Sequence, residues 1–339
     1  MFNSNSKKLF LFIPIICLLV AFIIWRFVNF EWGQVLENIQ SIHLGKYILA
    51  AVLYYFSFIF RGLRWKMIAK EANIDNANGK NIPSTIKLSG IILIGWFANS
   101  VAFMRVGDLY RGVLLSKESK SNLSMSLGTI FAERIQDMIS VSILIVISVG
   151  VIALTGKVNP PDWILISVIF ILVFIFFTLI IMKIIGKKLS IFLPIKIRDF
   201  YLSFQKAALD SFSKKSILPE LLLGVIGWIL EILRFGLVAS ALGIDIAVGV
   251  IILSTLVGAI LTTIPTPGGF GFVEGGLTGL LIVFGINNYD SVTLVAIDRT
   301  ISWVSIIIFG GLLFFIWNTV KSNKKDIYNF IDTKPSNNK

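Results

Sequence analysis

The chain has 339 residues, of which 56% are hydrophobic and only 15% charged, against about 45–50% and about 25% in soluble domains. Its mean hydropathy is +0.85, and the apolar excess falls in long runs, which excludes an ordinary soluble domain. The net charge of +12 comes without any aromatic–basic or groove-reading motif, so it excludes no membrane role and gives no reason to expect nucleic acid.

In chain order the first apolar run is Leu9–Val28, behind Lys7 and Lys8. It is long for a signal-peptide core, and Trp25-Arg26-Phe27 stands where a small-residue cleavage site would be needed, so it reads as a retained helix. Tyr47–Phe60 follows, long enough to span only if its helix extends into its polar flanks. Leu88–Met104, Leu127–Leu154 and Trp163–Ile185 come next. Ile191, Phe192, Ile195, Ile197, Phe200, Leu202 and Phe204 then fall among lysines, the pattern of an amphipathic interfacial segment over 190–215. Ile217–Leu242, Ile246–Ile264, the short Leu277–Phe284 and Val292–Trp317 complete the set. The domain reading is a polar N-terminus (1–8), one transmembrane domain (9–318) with halves at about 9–189 and 216–318 joined by 190–215, and a polar tail (319–339).

Charge orients these runs. The N-terminus and segments 61–87, 104–125, 186–216 and 318–339 together carry 24 Lys and Arg, and the remaining connections two. The positive-inside rule therefore places both termini in the cytoplasm. Segments 61–87 and 104–125 then lie on one side, so Leu88–Met104 enters and returns, coming back through Gly107 to Leu115. By the same logic 246–284 enters from the other face and folds at Pro265-Thr-Pro-Gly-Gly269. The expected architecture is all-α: about six full crossings plus two re-entrant helical hairpins, in a multi-pass protein of the cell (plasma or inner) membrane.

Charged residues interrupt the apolar runs although each costs roughly 2.5–3.5 kcal/mol at mid-bilayer. Glu133, Arg134 and Asp137 lie in the fourth run, Glu231 and Arg234 in the sixth, Asp298 and Arg299 in the last. Arg105, Asp108, Arg111 and Glu274 lie at the two returns. Six acids face five arginines, and every cation in the set is Arg, whose fork matches carboxylates and phosphates. Glu231 with Arg234, and Glu133 with Asp137, have helical spacings that bring side chains together. Two readings stay open: ion pairs that lock helices, and a polar cavity for an anionic headgroup.

Two strings stand out. Ile264-Pro-Thr-Pro-Gly-Gly-Phe-Gly-Phe-Val-Glu-Gly-Gly276 cannot continue a helix, and its Pro267, Gly268, Gly269 and Gly271 would let backbone approach a headgroup. Arg105-Val-Gly-Asp-Leu-Tyr-Arg111 reads as a second glycine turn. Asp108 precedes Glu133-Arg134 by 25 residues and Glu274 precedes Asp298-Arg299 by 24. Each half thus shows an acid at a turn and then a helix carrying acid–Arg, the layout of an inverted repeat. With one cysteine (Cys17) and one histidine (His43), there is no basis for a disulfide framework, a multi-His metal centre or a Ser-His-Asp triad. No catalytic residue, metal or cofactor is expected.

Arg105-x-Gly-Asp-x-x-Arg111, Glu133-Arg134-x-x-Asp137, Pro265-x-Pro-Gly-Gly-x-Gly-x-x-Glu274 and Asp298-Arg299 resemble the lysylphosphatidylglycerol synthase transmembrane-region family, the flippase-like membrane domains. The resemblance covers about residues 10–318. It departs before the first motif, where Ala102-Phe-Met replaces an expected proline. In bacterial resistance factors, such a domain moves aminoacylated phosphatidylglycerol between leaflets, while a separate soluble domain makes that lipid. Only 22 residues follow Trp317, so lysyl transfer is not expected. Other relatives are linked to polyisoprenoid-linked sugars. The leading expectation is a lipid flippase-like protein whose arginines hold a lipid phosphate and whose acids balance them. The expected partner is a membrane lipid, phospholipid or polyisoprenoid-linked, with a second copy or a separate lipid-modifying enzyme as further partners. With no GxxxxGK[ST] string, movement would be passive or ion-coupled. Two alternatives remain: a membrane-embedded transferase acting on a lipid-phosphate-linked sugar, and a non-catalytic subunit with structural ion pairs.

Overall fold

A computed structural model describes residues 32–74, 82–155 and 163–319. The first apolar run, Leu9–Val28, the N-terminus 1–8 and nearly all of the tail 319–339 lie outside these residues. Among the described residues every regular element is helical. Helix α1 (Trp32–Gln40) precedes α2 (Leu44–Glu71), whose first turn is capped by the His43 side chain accepting from the Lys46 N–H. Then come α3 (Thr85–Val101), α4 (Val106–Ser119), α5 (Leu123–Thr155), α6 (Trp163–Ile184) and α7 (Ile195–Asp210). The second half holds α8 (Ile217–Ala241), α9 (Val248–Leu261), α10 (Phe272–Val283) and α11 (Asn288–Thr319).

Helices α2, α5, α6, α8 and α11 are long and apolar enough to cross a membrane. At 1.5 Å per residue they exceed a hydrocarbon core of about 30 Å. The paired helices α3–α4 and α9–α10 are shorter, 17, 14, 14 and 12 residues. α3 packs on α4 and α9 on α10, so each pair is a helical hairpin. The chain is thus a polytopic all-α membrane fold in which one layout occurs twice: a long helix (α2, α8), a broken hairpin, and a second long helix (α5, α11). α2 and α8 run against each other at the centre. α7 lies against α5, with Phe131 and Phe204 rings 5.5 Å apart, while Ile191, Phe192, Ile195, Ile197 and Phe200 stay exposed.

Two expectations need correction. Residues 61–87 are not all connection: α2 continues to Glu71 because Trp65, Ile68 and Ala69 extend its buried stripe, carrying Arg61 and Arg64 into the interior. Nor is Gly107 a turn residue. The first hairpin breaks at Ala102–Arg105, with Met104 and Arg105 left-handed at φ 63° and 52°, and Gly107 sits in the first turn of α4. A Cβ on Gly107 would lie 1.9 Å from the Gly95 carbonyl oxygen, so this glycine permits a close helix contact. The second hairpin behaves as the string predicts, with Gly268, Gly269 and Gly271 all at positive φ.

In α11 the α-helix gives way to π turns at Thr300–Val304 and Ile306–Gly310. Three tyrosines of α2 meet this stretch. The Tyr47 and Thr300 hydroxyls share a hydrogen bond of 2.7 Å, and those of Tyr55 and Ser305 one of 2.6 Å. Tyr54 donates to the Ser302 carbonyl at 3.1 Å.

Candidate functional site

The two halves' charges meet. Glu133 is buried mid-helix, not near a wet end, because α5 starts ten residues earlier at Leu123. It accepts from Arg111 at 2.5 Å and from Arg64 at 3.5 Å. One turn on, Asp137 takes Arg64 at 2.7 Å and Arg134 at 3.5 Å. Asp108, in the first turn of α4, takes Arg134 at 2.8 Å, with Arg105 and Arg111 at 3.5 and 3.7 Å.

The second half builds a parallel network. Glu231 accepts from Arg234 and from Arg61 of α2, each at 3.1 Å. Arg234 also pairs with Asp298, to which Ser302 donates at 3.3 Å. Arg299 donates to Glu274 at 2.7 Å and to the Gly268 carbonyl at 2.8 Å. Glu274 in turn accepts from the Gly271 N–H at 2.6 Å, closing the hairpin tip.

Guanidinium groups also stack on rings, which shields charge at low cost in desolvation. Arg61 lies 4.9 Å from the Trp96 ring and 5.2 Å from Trp228. Arg111, Arg234 and Arg299 cover Trp65, Tyr54 and Trp303 at 4.5, 5.3 and 5.2 Å.

The two networks border one cavity of about 430 Å³. Arginines 61, 105, 134, 234 and 299 line it, together with Asp108, Asp137, Glu231 and Asp298. The hairpin tips reach it too. Arg105 donates to the Thr262 carbonyl of the second hairpin at 3.3 Å, and Trp303 donates to the Ser100 carbonyl of the first at 3.2 Å. Gly268 is in the lining, where a Cβ would meet Trp303 at 2.4 Å. Pro267, Gly269 and Gly271 shape the tip, and Arg111, Glu133 and Glu274 stand behind the wall. Among the described residues, no three His, Cys, Asp or Glu stand together as a metal site.

Arg61 and Arg64 were not among the sequence-predicted residues, because they follow the apolar run and read as loop cations. Their spacing, with Trp65 and Ile68 continuing the stripe, was the signal. Adding them changes the balance: the cluster holds seven arginines and six acids, and its lining five arginines and four acids. Among the described residues, three donors of the lining, Arg61 Nε, Arg134 Nε and Trp228 Nε1, are buried without an acceptor. Such donors are costly unless something accepts from them.

Residues 11–310 match the model of the lysylphosphatidylglycerol synthase TM region. The chain belongs to that family. A UPF0104 membrane protein of Methanocaldococcus jannaschii is 30% identical over 243 residues, 68% of this chain and all of that protein. Others from Methanothermobacter thermautotrophicus and Pyrococcus horikoshii are each 26% identical, over 82% and 90% of this chain and 87% and 96% of their own length. No solved structure is a significant match. Family and helices together make the chain a multi-pass membrane protein. Within the lysylphosphatidylglycerol synthase TM region, the motif residues divide between the cavity lining (Arg105, Asp108, Arg134, Asp137, Asp298, Arg299) and the shell that holds it (Arg111, Glu133, Glu274).

Proposed function

We propose that the chain is a lipid flippase-like protein that carries an anionic or zwitterionic phospholipid or lipid-linked headgroup between leaflets through the central acid–Arg cavity. The observation that carries this reading is the convergence of both halves' arginines on one cavity containing unsatisfied buried donors. Ion pairing alone is a weak reason to keep such space open, since a desolvated pair contributes little net stability. Phosphate oxygens are suited to accept from guanidinium and indole N–H groups. The hairpins are re-entrant from opposite faces, and the protein lies in the cell membrane with both termini cytoplasmic. The second reading, structural ion pairing, fits Glu133 with Arg64 and Arg111, which lie behind the wall.

The test is reconstitution into liposomes carrying fluorescent lipids of several headgroups. The protein should speed equilibration between leaflets, and R134Q and R234Q, if monodisperse in detergent, should lose most of that acceleration. Equilibration at the protein-free rate for every headgroup would overturn the proposal. Cysteine scanning of 116–122 in a C17S background checks topology: labelling from outside would exclude a re-entrant first hairpin.

A further inference from the structure

The cavity's charge balance identifies the headgroup it suits. Each cluster arginine except Arg105 has a carboxylate oxygen at 3.1 Å or closer. Among the described residues Arg105 has Asp108 alone, at 3.5 Å, and Asp108 is already engaged by Arg134 at 2.8 Å. The surplus of one positive charge therefore resides at Arg105. Its side chain is 27% exposed, whereas Arg64 and Arg111 are buried. It is held where the hairpin tips touch, through a long hydrogen bond to a neutral acceptor, the Thr262 carbonyl. A phosphate oxygen offers the guanidinium an opposite charge and bidentate geometry that a neutral carbonyl does not. A phosphate oxygen arriving here would displace the carbonyl.

Beyond the charged band, the lining continues over Met138, Val141, Ile171, Ile260 and Leu277. Such apolar walls suit an acyl chain and offer nothing to a free anion.

We propose that the cavity selects a lipid headgroup of net charge minus one, a phosphodiester without an added amine, and that Arg105 reads this charge by exchanging the Thr262 carbonyl for a phosphate oxygen. This rests on the central-cavity reading above. A lipid whose headgroup is net positive, as a lysylated one is with two ammonium groups against one phosphate, finds a cavity that already carries a surplus cation and is rejected.

Binding tests this separately from transport, since Trp96, Trp228 and Trp303 in the lining report occupancy by fluorescence. In detergent, short-chain phosphatidylglycerol should bind at least about tenfold more tightly than short-chain phosphatidylcholine, the worth of one charge-assisted hydrogen bond. Lysyl-phosphatidylglycerol should bind more weakly still. R105Q should erase the preference and R105K retain most of it, which separates charge reading from a folding defect. The water-soluble headgroup glycerophosphoglycerol should bind far more weakly than its lipid. Equal affinity for the three lipids, an intact preference in R105Q, or glycerophosphoglycerol binding as tightly as its lipid would each overturn the proposal. Selective binding without transport would sink the flippase reading and leave the headgroup assignment standing.

Discussion

The two halves of the cluster share a layout and differ in charge. In the first, Arg64 of α2 reaches Glu133 of α5 and Asp108 of the returning helix reaches Arg134. In the second, Arg234 of α8 reaches Asp298 of α11 and Glu274 reaches Arg299. Three residues after the hairpin acid, the first half has Arg111 where the second has buried Leu277. Three residues after the long-helix arginine, Asp137 stands opposite Ser302 in the layout. The first half thus carries five arginines against three acids and the second two against three. One scaffold is run at opposite polarity, and Arg61–Glu231 joins the two across α2 and α8. The surplus cation belongs to the first half.

The largest expected effect tests this asymmetry. E133Q takes away the close partner of fully buried Arg111, leaving it Asp108 at 3.7 Å while Arg64 keeps Asp137 at 2.7 Å, and should cost about 3–5 kcal/mol. D298N, its counterpart, strands only Arg234, which keeps Glu231 at 3.1 Å, and should cost about 1–3 kcal/mol. Equilibrium unfolding in mixed micelles measures both, and equal losses would break the comparison. Next come the hairpin glycines. G107A drives a methyl into the Gly95 carbonyl and should cost about 3 kcal/mol. G271A meets nothing within 4 Å but sits at φ 83°, which should cost about 1–2 kcal/mol. The reverse order would show that conformation, not contact, limits both tips. Smallest is M104G. Met104 is 74% exposed and left-handed, so glycine should raise stability by about 1 kcal/mol in the same assay.

The long helices and the second hairpin were legible in the sequence, because uninterrupted apolar runs and a Pro–Gly string leave the backbone few alternatives. The first tip was not. Its break falls on Met104 and Arg105, residues with no turn propensity, held left-handed by the packing of α3 on α4. The motif acids and arginines were legible as charges out of place in lipid. Arg61 and Arg64 were hidden because a cation just past an apolar run has the same local sequence whether its helix stops or continues. Only Glu133, Asp137 and Glu231, distant in the chain, distinguish the two.

The π turns of α11 carry a consequence for how this protein tolerates length change. Before them Arg299 faces the second hairpin, and at their end Gly310 and Gly311 press on Phe97 of α3. Removing one residue between 300 and 310 would let a π turn close to ordinary α pitch, because a π turn holds one residue more than an α turn, and would leave the helix downstream near its present phase. A deletion in the α-helical part of α11 has no such slack: between Arg299 and its upstream cap it would turn the partners out of register by about 100° per residue, whereas the wide turns can give up a residue and keep Phe97 against its two glycines.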